Sequence, residues 1–594
     1  MDGMDRVDDS GEGHTTLPAD AGARRLVLAA AVCVYTAALF AFSVYLRADG
    51  FGRLPTGVSS WMTTGSTICA KNWHREGAWN LRFTLYREPA SIENAGLRTP
   101  YLSFPPGAIL PIYILGKARG VEPTPTLTMV YNLCMQFLIA CVLGLVCLFV
   151  LRRFKVAVLL AAVPPTLYLF LRGSFYEHQM GYFSDQAVML PFALLLLIET
   201  LHMTGIPPKT RAIMAVSEAA VVFWGMFTDW FFGFVLACAF ASRLLRGELG
   251  ASWKQRAQRT LLFWSPALAA VLLFMMQLAY HGGFGVPVER FVYGAGVEQG
   301  GNPDTPGLNP RQLEWSRFLL PSLNSRFWGE FLPMAFGPFA KAAILGCAAI
   351  LIAAGLALLA LRVRGRAAPD TIKWPAALAL ITLAPCLIYY QVFQTHCSIF
   401  VHFFTTLKFA VSFALLPLIL VGAVLAALSR RSRDTRRRAS AVAALLALFA
   451  AGGYLAWMGD PRQAGIFDPL RPEYERIGRF VGRHTAYEDV LFSANLDIGL
   501  LAPHYLVYAM KPLHTVASLE EVAETLSGVE GPWVLNLLSV GPEAYPPESG
   551  LAPLAARAFA RYDAGDLHLC KIGQNDFAAA YDTWVCRDQV DRVE

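Results

Sequence analysis

The string His396-Cys397-Ser398-Ile399-Phe400-Val401-His402-Phe403-Phe404-Thr405-Thr406-Leu407-Lys408 sets two imidazoles and an ammonium at the mouth of an apolar run. Such a set can bind a phosphate or, with a carboxylate added, a divalent metal. The spacing matches no closed zinc site, which makes metal the weaker expectation. Lys408 stands about one turn inside the run, where an ammonium is costly unless paired or snorkelling. Contact with a phosphate would supply the partner.

Carboxylates able to take a proton gather in three regions. Residues 47–126 hold Asp49, Glu76, Glu88 and Glu93, among Trp61, Trp73 and Trp79 and interleaved with Lys71, His74, Arg75, Arg82 and Arg98. Aromatic faces of this kind stack on sugar rings, and Lys and Arg hold lipid-linked phosphates. The same pattern also describes an amphipathic helix anchored among lipid headgroups. Further on, Ser174-Phe175-Tyr176-Glu177-His178-Gln179 leads into Tyr182-Phe183-Ser184-Asp185-Gln186, and Gly225-Met226-Phe227-Thr228-Asp229-Trp230 interrupts an apolar stretch. Helix capping would account for Asp185 and for Thr228 or Asp229 with no functional role. Nothing local requires Glu177 or His178, and an ionisable group near the membrane counts as a functional candidate.

The elements that must carry these groups are membrane spans. The 594 residues are 55% hydrophobic and only 16% charged, too apolar for a soluble chain of several domains. Apolar runs of suitable length fall at 25–46, 127–151, 156–173, 186–205, 212–227, 230–245, 260–281, 339–362, 374–392, 405–428 and 439–458, giving an α-helical polytopic membrane protein of about eleven transmembrane helices. The first run follows a polar stretch, 1–24, without a basic n-region, so it reads as a retained anchor behind a disordered cytoplasmic N-terminus. Basic clusters alternate between connections: Arg24-Arg25, Arg152 to Lys155, Lys209 to Arg211, Arg243 to Arg259, Arg362 to Lys373 and Arg430 to Arg438. By the positive-inside rule these are cytoplasmic, which puts the C-terminus outside. The net charge of +6 therefore marks topology, and nucleic acid is set aside as a partner.

That alternation requires residues 106–118, about 13 in number, to dip into the membrane without crossing it. The outer side then carries the loop 47–126 with interfacial helices, and a tail. Residues 25–458 form the membrane domain, and 459–594 a small soluble α/β domain with strands at Val490–Ser493, Leu506–Met510 and Trp533–Leu538 and a helix at Leu519–Leu526. Most of the eleven cysteines lie in apolar runs and serve as small packing groups. Cys570 and Cys586 fall in the polar tail, where an oxidising compartment would let them pair.

Tyr101-Leu102-Ser103-Phe104-Pro105-Pro106-Gly107 opens the half-length segment, its paired prolines setting a rigid entry. An anchor helix, a long outer loop, a Y-x-x-x-P-P motif, a short dipping helix, many further spans and a soluble tail together resemble the C-class membrane glycosyltransferases. The resemblance is to their bacterial branch of protein-mannosyltransferase-like and aminoarabinose-transferase-like enzymes, and it covers roughly residues 25–460. It implies transfer of a sugar from a polyprenyl-phosphate donor to a glycan, lipid or protein acceptor on the outer face of a bacterial inner membrane, by an inverting displacement. A carboxylate would take the acceptor's proton, and cations would steady the leaving phosphate.

The family places an acidic residue shortly after the first span; here that stretch, Gly57-Val58-Ser59-Ser60-Trp61, has none. Glu88 and Glu93, with Asp49 behind them, are the candidates for the base. Arg98, Tyr101, Glu177, His178, Asp185, Asp229, His396, His402 and Lys408 are the candidates for donor phosphate and substrate. No cofactor is demanded, and a divalent metal stays open. The missing early carboxylate favours a competing reading, a non-catalytic binder of lipid-linked glycan or an assembly scaffold. A transporter or flippase ranks last, because mid-span positions are nearly all apolar and no internal repeat is evident. The chain has no P-loop, GxSxG, HExxH or dinucleotide fingerprint.

Overall fold

This computed structural model describes residues 19–48, 51, 54, 58–93, 98–151, 157–171, 174–175, 178–179, 181–204, 210–250, 252–283, 285, scattered positions from 332 to 356, 370–392, 407–428, 472–496, 502–541, 545 and 549–591. Among the described residues, four helices are long and apolar enough to cross a membrane: Leu26–Leu46, Pro125–Val150, Ser184–Thr204 and Trp253–Tyr280. Shorter apolar helices run at Ala157–Phe170, Ala376–Tyr390 and Leu407–Ile419. The expected spans 339–362 and 439–458 lie largely or wholly outside the described residues.

Helix α1 (Ala19–Leu46) packs on α4 (Pro125–Val150), which starts where the Thr124 hydroxyl accepts from Leu127 N with proline at the first position. Between them come α2 (Val58–Glu76) and the half-length α3 (Leu110–Arg119), ended by Gly120 in the left-handed region. The expected single span at 156–173 is interrupted: α5 (Ala157–Ala161) and α6 (Val163–Phe170) meet at Ala162, because Pro164 and Pro165 supply no amide donors. The bundle continues through α7 (Ser184–Ala187), α8 (Met189–Thr204), α9 (Arg211–Met226), α10 (Phe231–Arg246), α11 (Trp253–Tyr280), α12 (Asp370–Val392) and α13 (Ala410–Leu428). Its core joins Leu143 and Val146 of α4, Phe192 and Leu195 of α8, Phe231 and Val235 of α10, and Leu415 of α13.

The outer-loop helix is not an interfacial one. Residues 62–73 of α2 are buried, Trp73 completely, with its indole Nε1 donating to Thr84 O at 2.7 Å. Trp79, by contrast, is 80% exposed. Helix α2 is covered by α3, by α4 and by the C-terminal part of the chain.

That part holds a five-stranded sheet in the order β2-β1-β3-β5-β4. The strands are β1 (Asp489–Ser493), β2 (His514–Thr515), β3 (Val534–Val540), β4 (Ala560–Ala564) and β5 (Leu567–Gly573). β1 runs parallel to β2 and β3, whereas β5 is antiparallel to both β3 and β4. Helices α14 (Pro472–His484), α15 (Ala502–Ala509), α16 (Leu519–Ser527), α17 (Leu551–Ala556) and α18 (Gln574–Asp591) flank the sheet. Two expected strands are present, at 489–493 and 534–540, and the helix at 519–527 is as expected. The third strand, Leu506–Met510, is instead helix α15. Its apolar run serves two neighbours, with Tyr505 and Ala509 against α14 and Val507 and Met510 against Leu54, Ile68 and Met129. Cys570 is buried on β5; the side chain of Cys586, its expected partner, lies outside the described residues.

Candidate functional site

Three helix ends converge on Lys408, just ahead of α13. Its Nζ stands 3.0 Å from Asp185 Oδ1, 2.9 and 3.1 Å from the two oxygens of Asp229, and 3.1 Å from the Tyr389 hydroxyl. Rings of Tyr389, Phe104 and Phe231 close round the ammonium at 4.5, 5.7 and 6.0 Å. All of these polar groups are buried. Charges taken out of water persist only when paired and hydrogen-bonded, and here the pairing is complete on the lysine side: three ammonium hydrogens face three residues.

Local chemistry explains how the carboxylates arrive there. Asp229 follows the C-terminus of α9 and accepts from Phe231 N at 2.7 Å through Oδ1, capping α10. The capping expectation and the functional one thus hold for the same side chain, since its other oxygen turns to Lys408. Asp185 lies in the first turn of α7, whose start is held by Gln186 Oε1 accepting from Phe183 N at 3.1 Å.

The Tyr101–Gly107 loop roofs this cluster. Gly107 N donates to Phe227 O at 2.8 Å, and the Trp230 indole donates to Ser103 O at 3.0 Å. A Cβ on Gly107 would fall 2.2 Å from that Phe227 oxygen, so only glycine allows the approach. Tyr182 OH donates to Ala108 O at 2.6 Å, while Tyr182 N and O are held by Thr63 and Ser66 of α2. Tyr101, Phe104 and Phe183 form a set of ring contacts at 5.9 to 6.4 Å, and Arg87 lies over Tyr101 at 3.7 Å. Phe104 thereby joins an aromatic mouth to the buried charges.

The remaining candidates are dispersed. His178 is fully buried: Nδ1 meets Asn132 Oδ1 at 2.8 Å and Nε2 meets Tyr168 OH at 2.5 Å. Burial, with Arg47 adding repulsion, pushes its pKa down to about 3, so the ring is neutral and donates from Nδ1 while accepting at Nε2. Arg47 itself donates to Gln136 Oε1 at 2.6 Å and to Phe175 O. Arg98 forms a two-armed pair with Glu76 and lies over Tyr86 at 4.5 Å. Glu88 is exposed, and Glu93 bonds to His514 on β2. Asp49, Glu177, His396 and His402 lie outside the described residues.

Sequence reasoning had Asp185, Asp229 and Lys408 as separate candidates and did not join them. It missed Tyr389 and Phe104, and also Arg47, Asn132 and Tyr168 around His178. Tyr389 gave no signal beyond one hydroxyl in an apolar run. Among the described residues no group of three or more His, Cys, Asp or Glu side chains is arranged to hold a metal.

No family model matches the chain, and no curated protein matches it. Solved structures similar to it include the Archaeoglobus fulgidus oligosaccharyltransferase in the apo form, at 13% identity over 87% of this chain and 69% of that one, with a TM-score of 0.45. Another is ArnT from Cupriavidus metallidurans bound to undecaprenyl phosphate, at 14% identity over 92% of this chain and 97% of that one, with a TM-score of 0.42. A third is the Archaeoglobus fulgidus oligosaccharyltransferase AglB in complex with an inhibitory peptide and a dolichol-phosphate, at 12% identity over 86% and 69%, with a TM-score of 0.44. At this level of similarity, any activity has to be read from the side chains themselves.

Proposed function

We propose that the protein is a membrane glycosyltransferase. It moves a sugar from a polyprenyl-phosphate donor to a glycan, lipid or protein acceptor on the non-cytoplasmic face of a bacterial inner membrane, in cell-envelope glycan or glycolipid assembly. The observation that carries this reading is the buried pair Asp185 and Asp229, held on Lys408 directly beneath the Tyr101–Gly107 loop. An inverting displacement needs a carboxylate to accept the acceptor's proton as its oxygen attacks the anomeric carbon and the phosphate leaves with the bonding electrons. Asp185 and Asp229 are better placed for that than Glu88, which is exposed, or Glu93, which His514 holds. Tyr101, Phe104 and Phe183 offer ring faces to the sugar. Arg87, lying over Tyr101, stands beside them as a cation for the phosphate, with Arg98, His396 and His402 in the same proposed role.

The test is transfer in vesicles from radiolabelled polyprenyl-phosphate sugars to acceptors of the source membrane. Asp185→Asn and Asp229→Asn should each lower transfer by roughly 100-fold or more, the scale of a lost general base, with Glu88→Gln close to wild type. Wild-type rates in both Asn variants would overturn the assignment.

One observation favours the scaffold reading: residues 57–61 carry no carboxylate, and Lys408 already engages both buried ones. Saturable binding of the lipid-linked sugar with no turnover in any acceptor extract would select it.

A further inference from the structure

We infer that Lys408 is a built-in cation, occupying between Asp185 and Asp229 the place that a divalent metal would otherwise need. This rests on reading the cluster as the functional centre, but its test below does not use transfer.

Two carboxylates that share a water-free site repel one another and require a compensating positive charge. Asp185 Oδ1, both oxygens of Asp229 and the Tyr389 hydroxyl all converge on a single point, and that point is occupied by Nζ at 2.9 to 3.1 Å. These are hydrogen-bond lengths for a charged donor. An all-oxygen set of this kind is also the donor set that magnesium, manganese and calcium choose. Asp229 Oδ2 has no hydrogen-bond partner apart from its ion pair with Lys408. The rings of Phe104, Phe231 and Tyr389 flank the ammonium at 5.7, 6.0 and 4.5 Å.

Two consequences separate a built-in cation from a lysine that merely sits near a metal. With Lys408 present, the centre should not bind a divalent ion and should be indifferent to chelators. With its side chain removed, the same oxygens should become a divalent-cation site.

Manganese is the probe, added to purified full-length protein and followed by its electron paramagnetic resonance signal and by thermal unfolding. Wild type should bind no more manganese than Asp185→Asn/Asp229→Asn, and EDTA should not change its midpoint. Lys408→Ala should unfold at lower temperature and recover by several degrees on adding manganese, while the triple variant Lys408→Ala/Asp185→Asn/Asp229→Asn should not respond. Manganese bound by wild type and lost in the double Asn variant would overturn the inference, as would equal responses of Lys408→Ala and the triple variant. If Lys408→Ala does not fold, the wild-type measurement alone still decides. A protein that transfers no sugar still passes or fails on these readouts, so the two proposals fail separately.

Discussion

Glu93 and His514 lie 421 residues apart and share a hydrogen bond between Glu93 Oε2 and the imidazole Nε2. The contact ties the first loop to β2 at the edge of the C-terminal sheet, and neighbours reinforce it. Lys71 Nζ donates to Val507 O at 2.6 Å, and Ile92 N to Tyr487 O at 3.3 Å. Helix α2, clamped in this way, holds Tyr182, three residues before Asp185. The C-terminal sheet therefore bears on the geometry of the buried charge cluster through a short chain of direct contacts.

Removing that tie should loosen the loop before it unfolds the bundle. His514→Ala takes away one partner of a partly buried carboxylate, a loss of about 1–3 kcal/mol. Hydrogen exchange should rise across residues 85–93 and 510–516 while exchange in α4 and α8 stays as in wild type. Unchanged exchange at both segments would show that the bond contributes nothing to docking.

A second expectation concerns acid. Partial burial works against ionisation of Glu122, but Arg75 and Lys71 outweigh it through hydrogen bonds and charge, and its pKa lies below the ordinary 4.5. A carboxylate with a depressed folded-state pKa contributes stability that is complete above its unfolded value and is lost as pH falls through the folded one. Wild type should thus lose its advantage over Glu122→Gln as pH is lowered from about 6 to about 3. Denaturant midpoints measured for both proteins across that range check it, and parallel curves would contradict it.

Close approach at Gly107 makes a third. An added methyl would meet Phe227 O and C at 2.2 and 2.7 Å, both backbone atoms of the turn that carries Asp229. Neither can swing aside as a side-chain end would, so Gly107→Ala should cost about 1–3 kcal/mol by overpacking. It should also lower any transfer activity, because the displaced turn moves a carboxylate off Lys408. Gly120→Ala, which has open space but a left-handed backbone, should cost stability without touching activity.

Much of the helical framework was legible because span length and composition are set by the bilayer. The half-length segment at 106–118 was legible too, since too few apolar residues stand between its prolines and Gly120. What stayed hidden depends on partners distant in the chain. Leu506–Met510 looks like a strand until α2 and α14 are known to cover its two sides. Trp73 looks interfacial until Phe83, Thr84 and Tyr113 of α3 are seen to enclose it. At the site, each of Asp185, Asp229 and Lys408 could be flagged alone by the cost of a charge near lipid. Their meeting, and the part of Tyr389, follows only from how α7, α10, α12 and α13 pack.

The last expectation lies at the other ends of the same helices. Glu199, only 1% exposed, accepts from Arg243 Nε at 2.6 Å and from Arg246 Nη2 at 2.5 Å. Arg243 continues to Glu218 at 2.8 Å, and Arg246 to the more exposed Glu248 at 3.1 Å. Both arginines of α10 are thus held to α8 through the one buried carboxylate of Glu199, and Arg243 is held to α9 through Glu218. Removing one partner of a buried pair leaves the other charge uncompensated, at about 3–5 kcal/mol. An exposed pair contributes about 0–1 kcal/mol. Glu199→Gln should therefore lower the unfolding midpoint far more than Glu248→Gln, with Glu218→Gln between them because Arg243 keeps its bond to Glu199. Thermal unfolding of the three variants in one detergent gives the order directly. Equal midpoints for Glu199→Gln and Glu248→Gln would mean that water reaches Arg243 and Arg246, and that this cluster does not lock the helices together.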